Sequence, residues 1–167
     1  MCGCRASAYR ISSREEAVNK AMGRNSRMLA KKYCMRPLSV TVAMPGGDIR
    51  YLELEFQIQG PFSKMDVRKV LLDIVHDFLA DLNADTDLCS YLKNHSFTIK
   101  DIGITLFIIN EKGYRFIDPN IGVASISKGN LEYETMGTKY DEVIKRELPF
   151  FKSVTSETYE EALDSIK

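Results

Sequence analysis

The sequence lacks most of the features that reveal a protein's chemistry directly. It has no Trp and only two His, and no segment approaches the ~20 apolar residues that a membrane-spanning helix needs. It also lacks the Gly-x-Ser-x-Gly turn of many hydrolases, a phosphate-cradling glycine loop and the dinucleotide fingerprint. These absences argue against the common hydrolases, NTPases and dehydrogenases, and the sequence indicates no cofactor.

Cysteine is scarce and does not form the pattern of a disulfide-rich domain. Cys2 and Cys4 lie at the N-terminus, whereas Cys34 and Cys89 fall at the end of one predicted helix and inside another. With 167 residues, of which 44% are apolar, the chain can bury a core without disulfides. We expect Cys34 and Cys89 to pack as thiols rather than to pair.

Charge is balanced over the whole chain but not along it. The formal net charge is zero, yet residues 1–36 carry nine basic and two acidic side chains. Such an asymmetry can mark an end that faces a membrane or nucleic acid. It can also mark a basic helix that lies on the acidic remainder of its own domain. Both interpretations stay open from the sequence.

The first half of the chain predicts alternating helices and strands. Helical spacing of apolar residues covers residues 13–33 and 63–83, and a shorter helical turn is expected near Leu88. Strict alternation over Ile49–Gln59 predicts a strand with one buried and one solvated face. A Pro-Gly-Gly-Asp turn joins it to a preceding strand, Ser39–Met44.

The second half predicts further strands. The run Phe97–Ile109 becomes apolar on both faces, as in a central strand. Strands are expected at Tyr114–Asp118 and in a hairpin of Val123–Ser127 with Leu131–Met136. In the polar tail, Leu148-Pro149 is interpreted as a break in a helical segment.

Together these patterns predict an α+β fold. We expect an antiparallel sheet of about five or six strands, packed by two main helices and closed by a short helix at Ser156–Ile166. The predicted order is helix, two strands, helix, short helix, four strands, helix. Residues 13–167 would form one domain, and residues 1–12 a flexible segment or lipid tether.

The histidines supply the few candidates for acid–base chemistry. His76 lies near Asp73 and Asp77 on the polar side of the second predicted helix, and His95 lies in a loop. A histidine beside carboxylates could serve as a general base or a metal ligand. Exposed residues of these types are also common on helices, so an unfamiliar enzyme using His76, Asp73 and Asp77 is an alternative hypothesis.

Alternating polar residues resemble the first half of a calcium loop. They are Asp81, Asn83, Asp85 and Asp87. A calcium loop also needs Gly at its sixth position and Glu at its twelfth, where this sequence has Thr and Leu. A polar helix end followed by a capped turn explains the pattern better, and we predict no metal site.

The N-terminus has the form of a lipid-attachment site. Bacterial lipoproteins place a small residue before the modified cysteine, as in Gly3-Cys4, with Cys2 as the alternative. No apolar signal segment precedes them in this sequence. Either a signal peptide has been removed and Cys2 or Cys4 marks the mature start, or Met1 is native and the match is accidental. Five basic residues are expected to face anionic lipid: Arg5, Arg10, Arg14, Lys31 and Lys32.

A family resemblance supports an envelope location. The segments Asp77-Phe-Leu-Ala-Asp-Leu-Asn83 and Tyr91-Leu-Lys-Asn-His-Ser-Phe-Thr98 precede an apolar strand, and Asp118-Pro119 precedes the hairpin at Val123–Tyr133. In this order, over about residues 65–135, the chain resembles a group of uncharacterised bacterial lipoproteins. The resemblance implies a cell-envelope protein and implies no activity.

Three functional hypotheses follow. The leading one is a non-enzymatic binding or structural module of the bacterial envelope, lipid-anchored, whose partner is another envelope protein or an anionic membrane surface. The enzyme using His76 is the second. The third is a cytoplasmic domain that binds a partner through its sheet edge, which an edge without charge or proline would favour. Nucleic acid is not an expected partner, because the solvated strand face carries Glu rather than basic or aromatic residues.

Overall fold

The element order agrees with the α+β order that the sequence predicts. The computed structural model describes residues 11–92 and 96–166. The helices are α1 (Ser13–Lys32), α2 (Lys64–Ala84), α3 (Thr86–Cys89) and α4 (Tyr159–Asp164). The strands are β1 (Arg36–Ala43), β2 (Tyr51–Gln59), β3 (Ile102–Ile109), β4 (Val123–Ser127), β5 (Asn130–Asp141) and β6 (Arg146–Thr158).

The six strands form one mixed sheet in the order β1-β2-β3-β4-β5-β6. Four of the five neighbouring pairs are antiparallel, whereas β2 and β3 are parallel. The parallel pair follows from its connection, because α2 and α3 carry the chain back before β3 begins. The expected antiparallel sheet is therefore confirmed in class, with one parallel pair between its second and third strands.

Both long helices lie on one face of the sheet. Burial alternates along β2, so Leu52 and Leu54 are buried while Glu53 and Glu55 lie on the opposite, open face. The core combines this inner face with apolar residues of α1 and α2, including Met22 and Phe78. The prediction of one buried and one solvated strand face is confirmed.

Local sequence signals set the helix ends. Ser12 and Glu15 form a reciprocal capping box at the start of α1, and Ser63 caps α2. At the end of α1, Cys34 adopts φ 53° and the Met35 amide donates to the Ala30 carbonyl over 2.8 Å. This is a Schellman-type ending with cysteine where glycine is usual.

One strand prediction and one helix prediction were wrong in the C-terminal half. The segment Tyr114–Asp118 makes isolated bridges rather than a strand, and Leu148-Pro149 lies within β6 instead of interrupting a helix. Pro149 is compatible with a strand because β6 is at the edge of the sheet. Nearly all of β6 is solvated on both faces, so it has no alternation of apolar and polar residues to mark it.

Candidate functional site

The structure does not assemble a catalytic centre around His76. Its side chain is 81% exposed, and its Nδ1 lies 3.9 Å from Asp77 Oδ1. Asp73 is exposed on the same helix. The Asp77 carboxylate instead accepts hydrogen bonds from Lys32 Nζ and Tyr33 Oη, over 2.5 and 2.6 Å. Asp77 therefore joins α1 to α2 rather than orienting the imidazole.

These contacts also fix the charge state of Asp77. Burial raises the pKa of its carboxyl, but the hydrogen bonds from Lys32 and Tyr33 outweigh burial and lower the pKa overall. Burial and the neighbouring carboxylate raise the pKa of Tyr33. Asp77 is thus a carboxylate and Tyr33 a phenol at neutral pH, and the hydrogen bond between them joins α1 to α2.

The residues that resemble a calcium loop also have structural partners. Arg24 donates to Asp81 Oδ2 over 2.6 Å and to Asp85 Oδ2 over 2.8 Å. Asp85 caps α3 through the Leu88 amide. Asn83 exchanges hydrogen bonds with the Phe97 backbone. The interpretation as a helix end followed by a capped turn is confirmed, and the described residues contain no cluster of groups suited to a metal ion.

Two of the six basic residues of α1 pair with carboxylates of α2 or of its C-terminal cap, Asp85. Arg24 and Lys32 pair with carboxylates of α2, while Arg14 donates to the Gly47 carbonyl and lies over the Tyr91 ring. Of the basic residues expected to face lipid, Lys31 is exposed. Arg5 and Arg10, like Cys2, Cys4 and His95, lie outside the described residues.

A second polar network lies deeper, between α2 and β6. Arg68 and Glu157 form a bidentate ion pair over 2.8 and 2.7 Å, with side chains only 8% and 11% exposed. Tyr133 Oη donates to the same carboxylate over 2.6 Å. Each of the three side chains has a hydrogen-bond partner inside the network. The network joins α2 to the sheet, and we call Arg68, Glu157 and Tyr133 the clamp.

The free edge of β1 is the most unusual surface. This strand begins with Arg36 and Pro37, but between Leu38 and Ala43 it carries neither a charge nor a proline, and Leu38 and Val40 are 41% and 46% exposed. Its other side pairs with β2, and within the described residues no strand covers its free side. Exposed edges of this kind are usually blunted by charges or proline, because they offer a template for another chain.

The backbone of this edge is oriented for pairing. The Leu52 amide donates to the Asp101 carbonyl over 3.0 Å, so Leu52 and Leu54 direct their backbone groups towards β3. Val42 and Val40 lie opposite them in the register. In an antiparallel ladder these two residues therefore direct their N–H and C=O groups away from β2, to the free edge.

A groove runs beside the same edge, between α1 and β1. It is open, has a volume of about 530 Å³, and is lined by four apolar and two polar side chains. Val42, which lines it, lies on the helix-covered side of the sheet with Leu52. The groove is lined by Ile11, Glu15, Val18, Asn19, Val42 and Met44.

The opposite edge, β6, is protected. Pro149 has no N–H and lies opposite Thr138 in the register. It therefore cannot exchange backbone hydrogen bonds with Thr138, and its backbone groups point away from β5, to the free edge. An incoming strand would meet this missing donor midway along the edge. Charged Arg146, Glu147 and Lys152 flank it.

The distal part of the β5–β6 hairpin forms a two-stranded arm, because β4 pairs with β5 only as far as Glu134. Phe150 and Phe151 point to opposite faces of the arm, since neighbouring strand residues alternate. Phe150 lies across Gly137, and Phe151 lies over the Arg115 guanidinium, 5.4 Å from the ring centre. The exposed apolar residues of the arm are thus divided rather than gathered into one surface.

Comparison with protein-family models, with curated proteins and with solved structures finds no match to this chain. None of the described helices is both long enough and apolar enough to cross a membrane.

Sequence reasoning missed both the β1 edge and the clamp. The edge left a signal, since Ser39-Val-Thr-Val-Ala43 is β-prone and uncharged, but its place at the edge depends on strand order. The clamp left none, because Arg68 and Glu157 lie 89 positions apart.

Proposed function

We propose that this protein is a non-enzymatic binding module that recruits an extended segment of a partner protein as a seventh strand along β1. The observation that carries the proposal is the free edge at Val40 and Val42, which presents unprotected backbone groups beside an apolar groove. Strand addition obtains affinity from backbone hydrogen bonds and specificity from alternate side chains. The described polar clusters support binding over catalysis, because their members are engaged with one another.

A peptide-display library of random ten-residue segments, selected on the whole protein, tests this proposal. Selected peptides should shift the backbone amide resonances of Val40 and Val42 in NMR spectra. The Val40→Pro variant removes one outward-facing N–H group while keeping the pairing of Thr41 with β2. We expect it to weaken peptide binding by at least tenfold.

Val40→Ala is the matched control. It trims an exposed side chain but keeps the N–H group, so binding should change by less than about threefold if backbone pairing dominates. Both variants should retain the circular-dichroism spectrum of the wild-type protein. If selected peptides perturb other surfaces, or bind Val40→Pro as well as the wild type, the proposal is wrong.

The location of the module is a separate proposal, based on sequence. The Gly3-Cys4 junction and the family resemblance support a lipid-anchored protein of the bacterial envelope, and strand addition to another envelope protein fits that location. Mass spectrometry of the protein from its native host should find an acylated N-terminal cysteine. An unmodified Met1 there would contradict the anchor and favour a cytoplasmic module, without affecting the β1 edge.

A further inference from the structure

We infer that the strand bound along β1 alternates apolar side chains with lysine or arginine. This inference rests on the proposed function and adds the chemical class of the partner. The inference follows from a difference between the two faces of the sheet, since an added strand would extend both of them. Alternate side chains of the added strand would lie on the helix-covered face, and the side chains between them would lie on the open face.

The helix-covered side favours apolar residues. Side chains of an added strand that are level with Val40 and Val42 would point to the same side, towards the groove beneath the edge of α1. Ile11, Val18 and Met44 line this groove with Val42. Burying aliphatic side chains there removes apolar surface from water on both partners. The ≈530 Å³ volume is large enough for more than one such side chain.

The open side favours basic residues. Ser39 and Thr41 lie on this face of β1, and the register places Glu55 and Glu53 directly behind them on β2. Strands lie about 4.8 Å apart, so an added strand would be about 10 Å from β2. Lysine and arginine are long enough to extend over the short Ser39 and Thr41 side chains towards the carboxylates.

No cation within the described residues already neutralises these two glutamates. Glu53 accepts a hydrogen bond from Thr105 Oγ1 over 3.2 Å, and neither Glu53 nor Glu55 takes part in an ion pair in the described ranges. An acidic strand would meet two like charges here. A basic strand would find two uncompensated carboxylates, which favours its selection.

Two designed nine-residue peptides test the inference, one alternating valine with lysine and the other valine with glutamate. Their affinities for the whole protein can be compared by fluorescence anisotropy. We expect the lysine peptide to bind about tenfold more tightly in 50 mM salt, as two partly screened charge pairs would allow. The preference should fall in 500 mM salt, because the screening length then becomes shorter than the separation of the charges.

Charge variants locate the preference. Glu53→Gln with Glu55→Gln should make the two peptides bind equally. Glu132→Gln with Glu134→Gln is the matched control, since it removes two carboxylates from β5, elsewhere on the open face, and should leave the preference intact.

The outcomes separate this inference from the proposed function. Equal binding of both peptides, abolished by Val40→Pro, would overturn the charge preference and leave strand addition standing. A lysine preference that survives Val40→Pro would show unspecific attraction to the acidic face and overturn the inference. If neither designed nor library-selected peptides bind at β1, both proposals fail.

Discussion

Replacing Glu157 by glutamine tests the principal polar contact between the helix layer and the sheet. The substitution keeps the size of the side chain but removes the charge that faces Arg68. Removing one partner of a buried ion pair leaves the other charge uncompensated and typically costs 3–5 kcal/mol. We expect Glu157→Gln to lower the free energy of unfolding by about 3 kcal/mol. In a domain of this length that corresponds to a fall of roughly 6–12 °C in Tm.

The effect should depend on pH in a defined direction. Burial raises the pKa of Glu157, but hydrogen bonds from Arg68 and Tyr133 outweigh it and lower the pKa in the folded state. The stabilisation is therefore fully present above the unfolded-state pKa of about 4.3 and is lost as the pH falls through the folded-state value. The difference in unfolding free energy between wild type and Glu157→Gln should be constant above about pH 5 and shrink below it.

Urea denaturation followed by circular dichroism at several pH values measures this difference. Lys152→Gln is the control, because it removes an ion pair with Asp118 whose side chains are 56% and 58% exposed, and it should cost less than about 0.5 kcal/mol. The triple change Arg68→Met, Tyr133→Phe and Glu157→Leu, which leaves no polar group of the network without a partner, should recover most of the lost stability. If Glu157→Gln costs as little as Lys152→Gln, or has the same cost at pH 3 and pH 7, the clamp does not stabilise the fold as argued.

The remaining predictions concern backbone geometry and can be measured by the same urea titrations. Cys34→Gly should raise the unfolding free energy by about 0.5–1 kcal/mol, because glycine adopts the positive φ of 53° without strain, whereas Cys34→Ala should bring no gain. Gly122→Ala should lower it by about 3 kcal/mol, because a Cβ there would lie 2.7 Å from the Phe116 carbonyl oxygen. Gly103→Ala should cost less, about 1 kcal/mol, because its Cβ meets the end of the Tyr51 side chain, which can move aside by giving up its hydrogen bond with Ser127. Most of this cost should vanish in a Tyr51→Ala background, where the side chain of Glu53 is the nearest remaining contact. Equal costs at Gly122 and Gly103 would contradict the distinction between backbone and side-chain clashes.

The parts of the fold that could be predicted are the elements that have one buried face and one solvated face. β2 alternates because one face is buried and the other solvated, and α2 has an apolar stripe because it lies on the sheet. β6 gave no such pattern, since almost all of it is exposed. The parallel pairing of β2 with β3 depends on the connection between them, which the pattern of apolar and polar side chains does not encode.

The candidate site was harder to predict for a related reason. Reactive residue types are visible in a sequence, which is why the prediction chose His76, Asp73 and Asp77. In the structure, the His76 imidazole lies in solvent, and Asp77 is hydrogen-bonded to α1. The segment Ser39–Ala43 contains no reactive group. Its proposed role depends on strand order, which leaves the segment at an edge.

The charge distribution links the internal architecture to the proposed binding surface. On the helix side, carboxylates of α2 are matched by basic residues of α1, as in Arg24 with Asp81 and Lys32 with Asp77. On the open face, Glu53 and Glu55 have no such partner in the described residues. Under the proposed function, these two carboxylates beside the β1 edge would attract a partner strand that supplies the opposite charge. The basic helix thus contributes to cohesion, whereas the acidic strand carries the charges that the proposed partner strand would meet.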